Sequence, residues 1–253
     1  MIPGLIAYDV LFAITAALLY GPAAYLALEV WQRIAARAHW AIGIVPAFVT
    51  FAVALIIEVA IFGAVLPRLR PGRYRLMKHP LFFVWLVRSM LRRLLFAPGL
   101  KWFLFASNTL RFFSLRALGA KVAFDANMSA DVDILDPWLL TAEAGSTIGA
   151  RAMIASHYVE RGDLVLGPVF IGAGALVASA VLVGPSVSIG ARAVIKPLAS
   201  ISVGVTIGES AQIGPSAFID HGVQIGKGAI VHTRAYVKRK RIIADYEEVS
   251  SSS

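Results

Sequence analysis

One histidine in the C-terminal half of the chain stands where a side chain could act as a base. His157 is the only histidine between His79 and His221. An imidazole takes up and releases protons near neutral pH, so His157 could remove the proton from a hydroxyl or amine nucleophile. A solvated loop histidine is the alternative interpretation. The position of His157 in the repeat pattern, described below, favours the catalytic one.

The residues around this histidine offer candidates for supporting roles. Asp136, Glu160 and Asp163 are the acidic residues that could orient the imidazole, and a backbone carbonyl would serve equally well. Ser156 is expected to contribute a hydrogen bond rather than to act as a nucleophile. The chain has no cysteine, which excludes disulfides, cysteine-ligated zinc and a cysteine nucleophile. The histidines are scattered, so no metal site is predicted.

A six-residue repeat dominates the region that must position His157. The leading position of each repeat is isoleucine or valine: Ile171, Val177, Val183, Ile189, Ile195, Ile201, Ile207, Ile213, Ile219, Ile225, Val231 and Val237. A period of six predicts a parallel β-helix in which each hexapeptide forms one flat face and a corner, with the branched residue packed inside. We place this domain at residues 121–243 and treat 244–253 as a tail.

The repeat is interrupted once. The same frame occurs earlier at Ala142, Ile148 and Ile154, then loses phase and resumes at Val165. The interrupting segment, residues 155–164, contains His157. Segments that leave a regular solenoid often carry function, so the interruption is the predicted site.

The N-terminal quarter has the composition of a membrane anchor. Mean hydropathy is +0.74 and only 15% of the 253 residues are charged. Two apolar stretches, about Ile2–Trp31 and about Trp40–Leu66, exceed the ~20 residues that a bilayer-spanning helix needs. We therefore predict a transmembrane hairpin at residues 1–66. Within it, Glu58 is either a functional carboxylate or a protonated side chain bonded to a neighbouring helix.

Basic residues set the predicted orientation. More of them follow the second span than lie between the spans: Arg68, Arg70, Arg73, Arg75 and Lys78 against Arg33 and Arg37. The positive-inside rule then places the β-helix on the cytoplasmic side of the inner membrane of a bacterium. We attribute the net charge of +9 to residues that set the membrane orientation and contact anionic membrane lipids, and not to nucleic-acid binding.

Residues 67–120 mix arginine with phenylalanine and leucine. This pattern predicts basic helices that lie in the membrane interface. A third span is the alternative, but it would bury Arg88, Arg92 and Arg93 in the bilayer. The expected fold is thus a membrane protein with an all-β soluble domain: a helical hairpin, interfacial helices and then a β-helix.

Two sets of motifs carry a resemblance to known families. The consecutive Ile-Gly-x-x-Ala-x hexapeptides, and Ser156-His157 leading to Leu166-Gly-Pro-Val-Phe-Ile-Gly172, resemble the trimeric left-handed β-helix acyltransferases. In those enzymes a histidine at this place acts as general base. Three other segments resemble the membrane-bound C-terminal region of poly-lysine-synthetase-like peptide synthetases: Arg70-Pro-Gly-Arg-Tyr74, Leu115-Arg-Ala-Leu-Gly-Ala-Lys121 and Asp133-Ile-Leu-Asp-Pro-Trp138.

The resemblance implies a membrane-anchored acyltransferase with His157 as general base. The expected donor is acyl-CoA or the phosphopantetheine thioester of an acyl or peptidyl carrier protein. The group moved would be acetyl, fatty acyl or aminoacyl, and the acceptor a hydroxyl or amine. A homotrimer is expected. The alternative is a non-catalytic β-helix that serves as a scaffold or accessory subunit of a membrane biosynthetic complex.

Basic residues of the repeats are candidates for holding the phosphates of the donor. They are Lys196, Arg239 and Arg241. A charged cap on the open end of the solenoid is the alternative explanation for the terminal cluster that contains Arg239 and Arg241.

Overall fold

The computed structural model describes residues 2–250, and the last three serines of the predicted tail lie outside the described residues. Three parts follow one another along the chain. They are a pair of long apolar helices, a middle layer of shorter helices, and a parallel β-helix.

The helix pair consists of α1 (Ile2–Ala35) and α2 (Ile44–Val65), joined by a short 3₁₀ helix (Trp40–Gly43). Leu19 and Ala23 of α1 and Ala52 and Leu55 of α2 are buried. Within the described residues, two segments are long and apolar enough to cross a membrane, Ile6–Ala35 and Trp40–Val65. These bounds agree with the two predicted spans to within a few residues.

The middle layer begins with an extended segment and continues with three helices. They are β1 (Gly72–Arg75), α3 (Pro80–Leu95), α4 (Leu100–Ala106) and α5 (Asn108–Ala117). The break after α3 falls at Pro98-Gly99, where Gly99 has a φ of 83°. Ser107 begins α5 by accepting a hydrogen bond from the backbone N–H of Leu110 at 3.3 Å.

Several basic residues of this layer bond protein groups rather than projecting outward. Arg111 Nη2 donates to the carbonyl of Ala126 at 3.0 Å, and Arg92 Nη1 contacts Asp133 Oδ1 at 3.3 Å. Lys101 Nζ donates to the carbonyl of Val132 at 2.5 Å. These residues therefore join the helical layer to the first turns of the β-helix. Interfacial placement of the layer stays a prediction.

The β-helix has three faces, each a stack of short parallel strands. Face one contains β2 (Lys121–Val122), β5 (Leu140–Ala142), β10 (Val169–Ile171), β13 (Ser188–Ile189), β16 (Thr206–Ile207), β19 (Gln224–Ile225) and β22 (Ile242–Ile243). Face two contains β3 (Asn127–Met128), β6 (Thr147–Ile148), β11 (Leu176–Val177), β14 (Val194–Ile195), β17 (Gln212–Ile213), β20 (Ile230–Val231) and β23 (Glu248–Val249). Face three contains β4 (Asp133–Ile134), β7 (Met153–Ile154), β12 (Leu182–Val183), β15 (Ser200–Ile201), β18 (Phe218–Ile219) and β21 (Tyr236–Val237).

The interior of the β-helix is a column of the leading residues. Ile171, Ile189 and Ile207, for example, stack on face one in parallel register and expose at most 1% of their surface. The prediction of a parallel β-helix from the period of six is confirmed. The strands continue to Val249, because Ile243 and Val249 keep the six-residue phase. The predicted boundary at residue 243 is therefore too early: the polar residues between these two leading positions obscure the last repeat.

The interruption of the repeat is a β-hairpin that leaves the solenoid. Its strands are β8 (His157–Glu160) and β9 (Asp163–Leu166), which pair antiparallel. Strand β1 adds to the free edge of β9, also antiparallel, to give a three-stranded sheet in the order β1-β9-β8. A segment that precedes the β-helix by more than forty residues thus supports the hairpin that carries His157.

Candidate active site

His157 and Asp136 form the centre of the candidate site. The imidazole Nδ1 lies 2.5 Å from Asp136 Oδ2. The Asp136 side chain is fully buried, whereas 22% of the His157 side chain is exposed. Asp136 ends the loop before a short 3₁₀ helix (Pro137–Leu139), and His157 opens β8. A carboxylate that accepts from Nδ1 fixes the tautomer in which Nε2 is free to accept a proton.

Trp85 of α3 completes this group. Its indole Nε1 donates to Asp136 Oδ1 at 2.8 Å. Because an indole nitrogen can only donate, Oδ1 accepts this bond, so Trp85 and His157 each engage one oxygen of Asp136. The Trp85 ring also meets the His157 ring edge to face, with centroids 5.0 Å apart. Two contacts from one side chain therefore restrict both members of the His–Asp pair.

A small apolar cluster holds these elements together. Tyr74, Phe82, Leu139, Leu164 and Leu166 are all buried and come from β1, α3, the 3₁₀ helix and the hairpin. They form a core of their own beneath the site. The four segments that carry or flank Trp85, Asp136 and His157 therefore pack as one unit.

The start of α3 is anchored to the same unit. His79 accepts a hydrogen bond from the backbone N–H of Leu81 at 3.1 Å, and Pro80 occupies the first turn. The His79 ring also contacts Tyr74 of β1, with centroids 5.0 Å apart. This cap fixes where α3 begins and hence where Trp85, one turn later, points.

The other two predicted acids serve the hairpin instead. Glu160 Oε2 pairs with Arg73 Nη2 at 2.7 Å. Asp163 pairs with Arg75 Nη1 at 3.4 Å and with Arg73 Nη1 at 3.9 Å. Both acids thus tie the hairpin to β1 and neither contacts the imidazole. Of the three candidates for orienting His157, the structure brings Asp136 to it.

Ser156 does not join the group around the imidazole. The residue is 1% exposed, and buried residues alternate from Ala152 through Ile154 to Ser156, which places it on the interior side. In the part of the chain that the structure describes, its hydroxyl has no hydrogen-bond partner. Its backbone carbonyl accepts from the N–H of Gly167 at 2.9 Å. The hydrogen bond predicted for the Ser156 side chain is therefore not seen.

A family comparison bears on the repeats. The sequence model of the family described as "Bacterial transferase hexapeptide (six repeats)" matches residues 204–239. These residues run from the corner before β16 to the corner after β21, within the three-faced solenoid. Over these residues the chain carries the hexapeptide repeats that this family model describes. The match agrees with the solenoid and its period of six, while the site itself rests on the geometry given above.

A curated relative matches a longer stretch of the chain than the family model does. It is delta-poly-L-ornithine synthetase of Acinetobacter baumannii, 39% identical over 77 residues. The match covers 30% of the chain but only 6% of that relative, so the chain corresponds to a small part of the relative's length.

Solved structures with a similar β-helix include two from other bacteria. One is AntD, an N-acyltransferase from Bacillus cereus, which is 16% identical in sequence. The similarity covers 55% of this chain and 82% of AntD, with a TM-score of 0.46. Another is the acetyltransferase domain of PglB from Neisseria gonorrhoeae, which is 21% identical in sequence. The similarity covers 57% of this chain and 63% of that domain's chain, with a TM-score of 0.25.

The three basic residues suggested for donor phosphates lie at two corners of the solenoid. Arg239 follows β21 and is exposed, at the corner between faces three and one that His157 also occupies after β7. Lys196 is exposed at the corner between faces two and three. Arg241 lies at the same corner as Arg239 but pairs with Glu247 at 3.2 Å. Of these two residues at the corner of His157, Arg239 forms no ion pair within the described part of the chain.

Within residues 2–250, no group of three or more histidine, aspartate or glutamate side chains is arranged to hold a metal ion.

Glu58 lies on α2 beside a mainly apolar cavity of about 400 Å³ that Leu26 of α1 also lines. Its Oε2 is buried without a partner among the described residues. The hydrogen bond to a neighbouring helix that sequence reasoning allowed is thus not found there.

Trp85 is the site residue that sequence reasoning missed. It lies 51 residues before Asp136 in a stretch read only as an aromatic-rich helix. No local spacing links it to His157. Its position one helical turn after the Pro80 cap is the sole sequence feature that could have singled it out, and that feature is common to many helices.

Proposed function

We propose that this chain is a membrane-anchored acyltransferase in which His157 is the general base. The observation that carries the proposal is the His157–Asp136–Trp85 arrangement: a partly exposed imidazole whose Nδ1 is held by a buried carboxylate. This geometry leaves Nε2 as the acceptor for a proton from an approaching nucleophile.

The proposed reaction is direct transfer from a thioester. Nε2 takes the proton of a hydroxyl or amine acceptor as the oxygen or nitrogen attacks the thioester carbonyl. The tetrahedral intermediate collapses with cleavage of the carbon–sulfur bond, and the imidazolium returns its proton to the departing thiolate. Asp136 supports the imidazolium electrostatically without moving. The group transferred is acetyl, fatty acyl or aminoacyl, and the similarity to a segment of a poly-ornithine synthetase favours an aminoacyl group.

The donor is an acyl-CoA or a carrier-protein phosphopantetheine thioester. Arg239 supports this part of the proposal because it lies at the same corner as His157. Arg239 follows β21 and His157 follows β7, and these strands are four positions apart on face three. Strands in a sheet are spaced by 4.7–4.9 Å, so the two lie about 19 Å apart along the solenoid. An extended pantetheine arm can bridge such a span, with its phosphate at Arg239 and its thioester near His157. Lys196 and Arg241 are then secondary candidates.

Membrane anchoring is supported by the exposed surface of the helix pair. Large apolar side chains face outward along both helices, including Ile6, Ile14 and Leu18 of α1 and Ile57 and Ile61 of α2. An apolar surface of this extent is not stable in water. We place the two helices across the bacterial inner membrane, with the β-helix on the cytoplasmic side. A homotrimer, membrane lipids and an acyl or peptidyl carrier protein are the proposed partners.

Two histidine variants test the catalytic proposal. We expect His157→Ala to lower the rate of thiol release from acetyl-CoA or from a loaded carrier protein by about 10²–10⁴-fold, the usual contribution of a general base. His221→Ala is the matched control, since His221 is exposed at the same corner of the solenoid and pairs with Asp220 rather than with Asp136. Circular dichroism would verify that both variants keep the β-helix.

The outcomes separate the proposal from the scaffold alternative. Full activity of His157→Ala would refute a role for this histidine. Titration calorimetry with acetyl-CoA and with loaded carrier protein addresses the donor. A chain that binds neither would instead be a non-catalytic scaffold or accessory subunit.

A further inference from the structure

A second cavity lies where the helix pair meets the β-helix. It has a volume of about 620 Å³. One wall is the last turn of α2 and the segment that follows it, including Ala60, Gly63 and Leu66. The opposite wall comes from the end of α5, the first strand of the β-helix and the 3₁₀ helix that follows Asp136. This cavity is separate from the candidate active site.

The charged residues that line this cavity are all cationic. They are Arg68, Arg88, Arg116 and Lys121, and no aspartate or glutamate lines the cavity with them. In the described part of the chain none of the four forms an ion pair, whereas Arg73, Arg75 and Arg92 nearby each have a carboxylate partner. Four cations around one cavity, without a carboxylate partner among the described residues, create a potential that favours an anion.

Two side chains that line the cavity have a buried donor nitrogen without a partner. Arg88 is 8% exposed, and its Nη2 donates to the carbonyls of Gly63, Leu66 and Pro67 at 3.0–3.3 Å. These bonds cap the end of α2, but among the described residues Arg88 Nε and Nε1 of the partly buried Trp138 have no hydrogen-bond partner. Burial lowers the pKa of Arg88, so an anion would relieve a desolvated charge. Buried donors without partners are rare in native proteins and call for an explanation.

The position of the cavity indicates what kind of anion it holds. Its apolar wall is the C-terminal end of the second candidate span, Trp40–Val65, so the cavity opens at the proposed boundary between lipid and cytoplasm. An occupant there meets apolar side chains on one wall and cations on the other. We propose that this cavity binds the phosphate headgroup of an anionic membrane lipid.

The proposal rests on the proposed membrane placement of the helix pair but not on acyl transfer. Trp138 is two residues from Asp136, and Arg88 is one helical turn from Trp85. The bound headgroup would therefore pack against the two elements that hold His157 in place. Binding can be measured without any thioester, so its failure and the failure of the catalytic proposal are distinguishable.

The test uses the full chain in detergent and three short probes. Dihexanoyl phosphatidic acid carries both phosphate and acyl chains, dihexanoylglycerol lacks the phosphate, and inorganic phosphate lacks the chains. Native mass spectrometry and calorimetry should give saturable binding of one phosphatidic acid per chain. We expect the double variant Arg116→Gln, Lys121→Gln to weaken it by about tenfold or more, since each charge-assisted bond lost is worth roughly that factor.

A matched variant separates the cavity from general attraction to a basic surface. Arg70→Gln, Lys78→Gln removes the same charge from two exposed residues that follow the second span but do not line the cavity. Its affinity for phosphatidic acid should stay within about twofold of the unmodified chain. Equal losses in the two double variants, or no saturable binding, would overturn the proposal. Inorganic phosphate binding as tightly as phosphatidic acid would overturn the assignment to a lipid.

Discussion

At the scale of single residues, the buried carboxylate of Asp136 decides how His157 can act. Burying a carboxylate destabilises the fold unless its oxygens accept hydrogen bonds. Here Trp85 bonds to Oδ1 of Asp136 and His157 bonds to Oδ2. Rotation of the imidazole would break the bond to Oδ2 and the edge-to-face contact with Trp85. The ring is therefore held with Nε2 directed away from the carboxylate.

Asp136→Asn tests whether this bond sets the tautomer. The amide nitrogen of asparagine would donate to Nδ1, which would leave the proton on Nε2 and remove the base. We expect the transfer rate to fall by about 10²–10⁴-fold, with the loss in kcat rather than in the KM for the donor. Steady-state kinetics beside a thermal unfolding curve would measure both effects. A variant with wild-type kcat would show that the pair is structural.

At the scale of elements, the corners of the β-helix impose the strictest local demands. Every sixth residue from Gly174 to Tyr246 has a positive φ, in the left-handed region of backbone conformation. The corner between faces one and two also requires a residue without a side chain. Glycine recurs there every 18 residues, at Gly172, Gly190, Gly208 and Gly226. A Cβ on any of these four would lie 2.5–2.7 Å from the backbone of the next turn.

Gly190→Ala should accordingly destabilise the solenoid more than a substitution at a left-handed corner. Its Cβ would lie 2.7 Å from the backbone nitrogen of Glu209, and the neighbouring turns leave little room to shift. We expect a loss of about 1–3 kcal/mol for this overpacking. Gly222→Ala, with φ at 69° and nothing closer than 3.6 Å, should lose about 1 kcal/mol.

Thermal unfolding of both variants in detergent would measure the difference. Each kcal/mol corresponds to about 2–4 °C in Tm for a chain of this size. An equal or smaller loss in Gly190→Ala would mean that the turns separate more readily than the strand ladder indicates.

At the scale of the whole molecule, one apolar core connects the helix pair to the solenoid. Buried residues are in continuous contact from Leu19 in α1, through Leu95 and Leu115 in the middle layer, to Val249 at the far end. Tyr20 adds a hydrogen bond from α1 to the carbonyl of Leu94 in α3 at 2.8 Å. The helices are thus packed directly onto the β-helix and not attached through a flexible linker.

The proposed orientation in the membrane can be tested because the natural chain has no cysteine. Ala38→Cys marks the exposed loop between the two helices, and Thr233→Cys marks an exposed corner of the solenoid. In intact bacterial cells, we expect a membrane-impermeant maleimide to label Ala38→Cys alone. Thr233→Cys should react only after permeabilisation. The opposite pattern would reverse the topology.

The sequence determined the solenoid because its information is local and repeated. Each hexapeptide meets the same interior, so the isoleucine and valine positions and the presence of a phase break could be recognised without three-dimensional data. The same reasoning located His157 and the two apolar helices. The predicted resumption at Val165 was wrong: Val165 lies in strand β9 of the hairpin, and the solenoid resumes at β10. The end at Val249 was missed because polar residues between Ile243 and Val249 obscure the last repeat.

Only the tertiary structure decided which residues meet. Asp136, Glu160 and Asp163 were equivalent candidates in sequence, but pairing of β1 with β9 brings Arg73 and Arg75 to the latter two and leaves Asp136 for the imidazole. Trp85 reaches the site because Phe82 of α3 packs with Leu164 and Leu166 of the hairpin, and the cationic cavity forms because α2, α5 and the first turns of the solenoid converge. Such contacts join segments distant in sequence, and no local pattern encodes them.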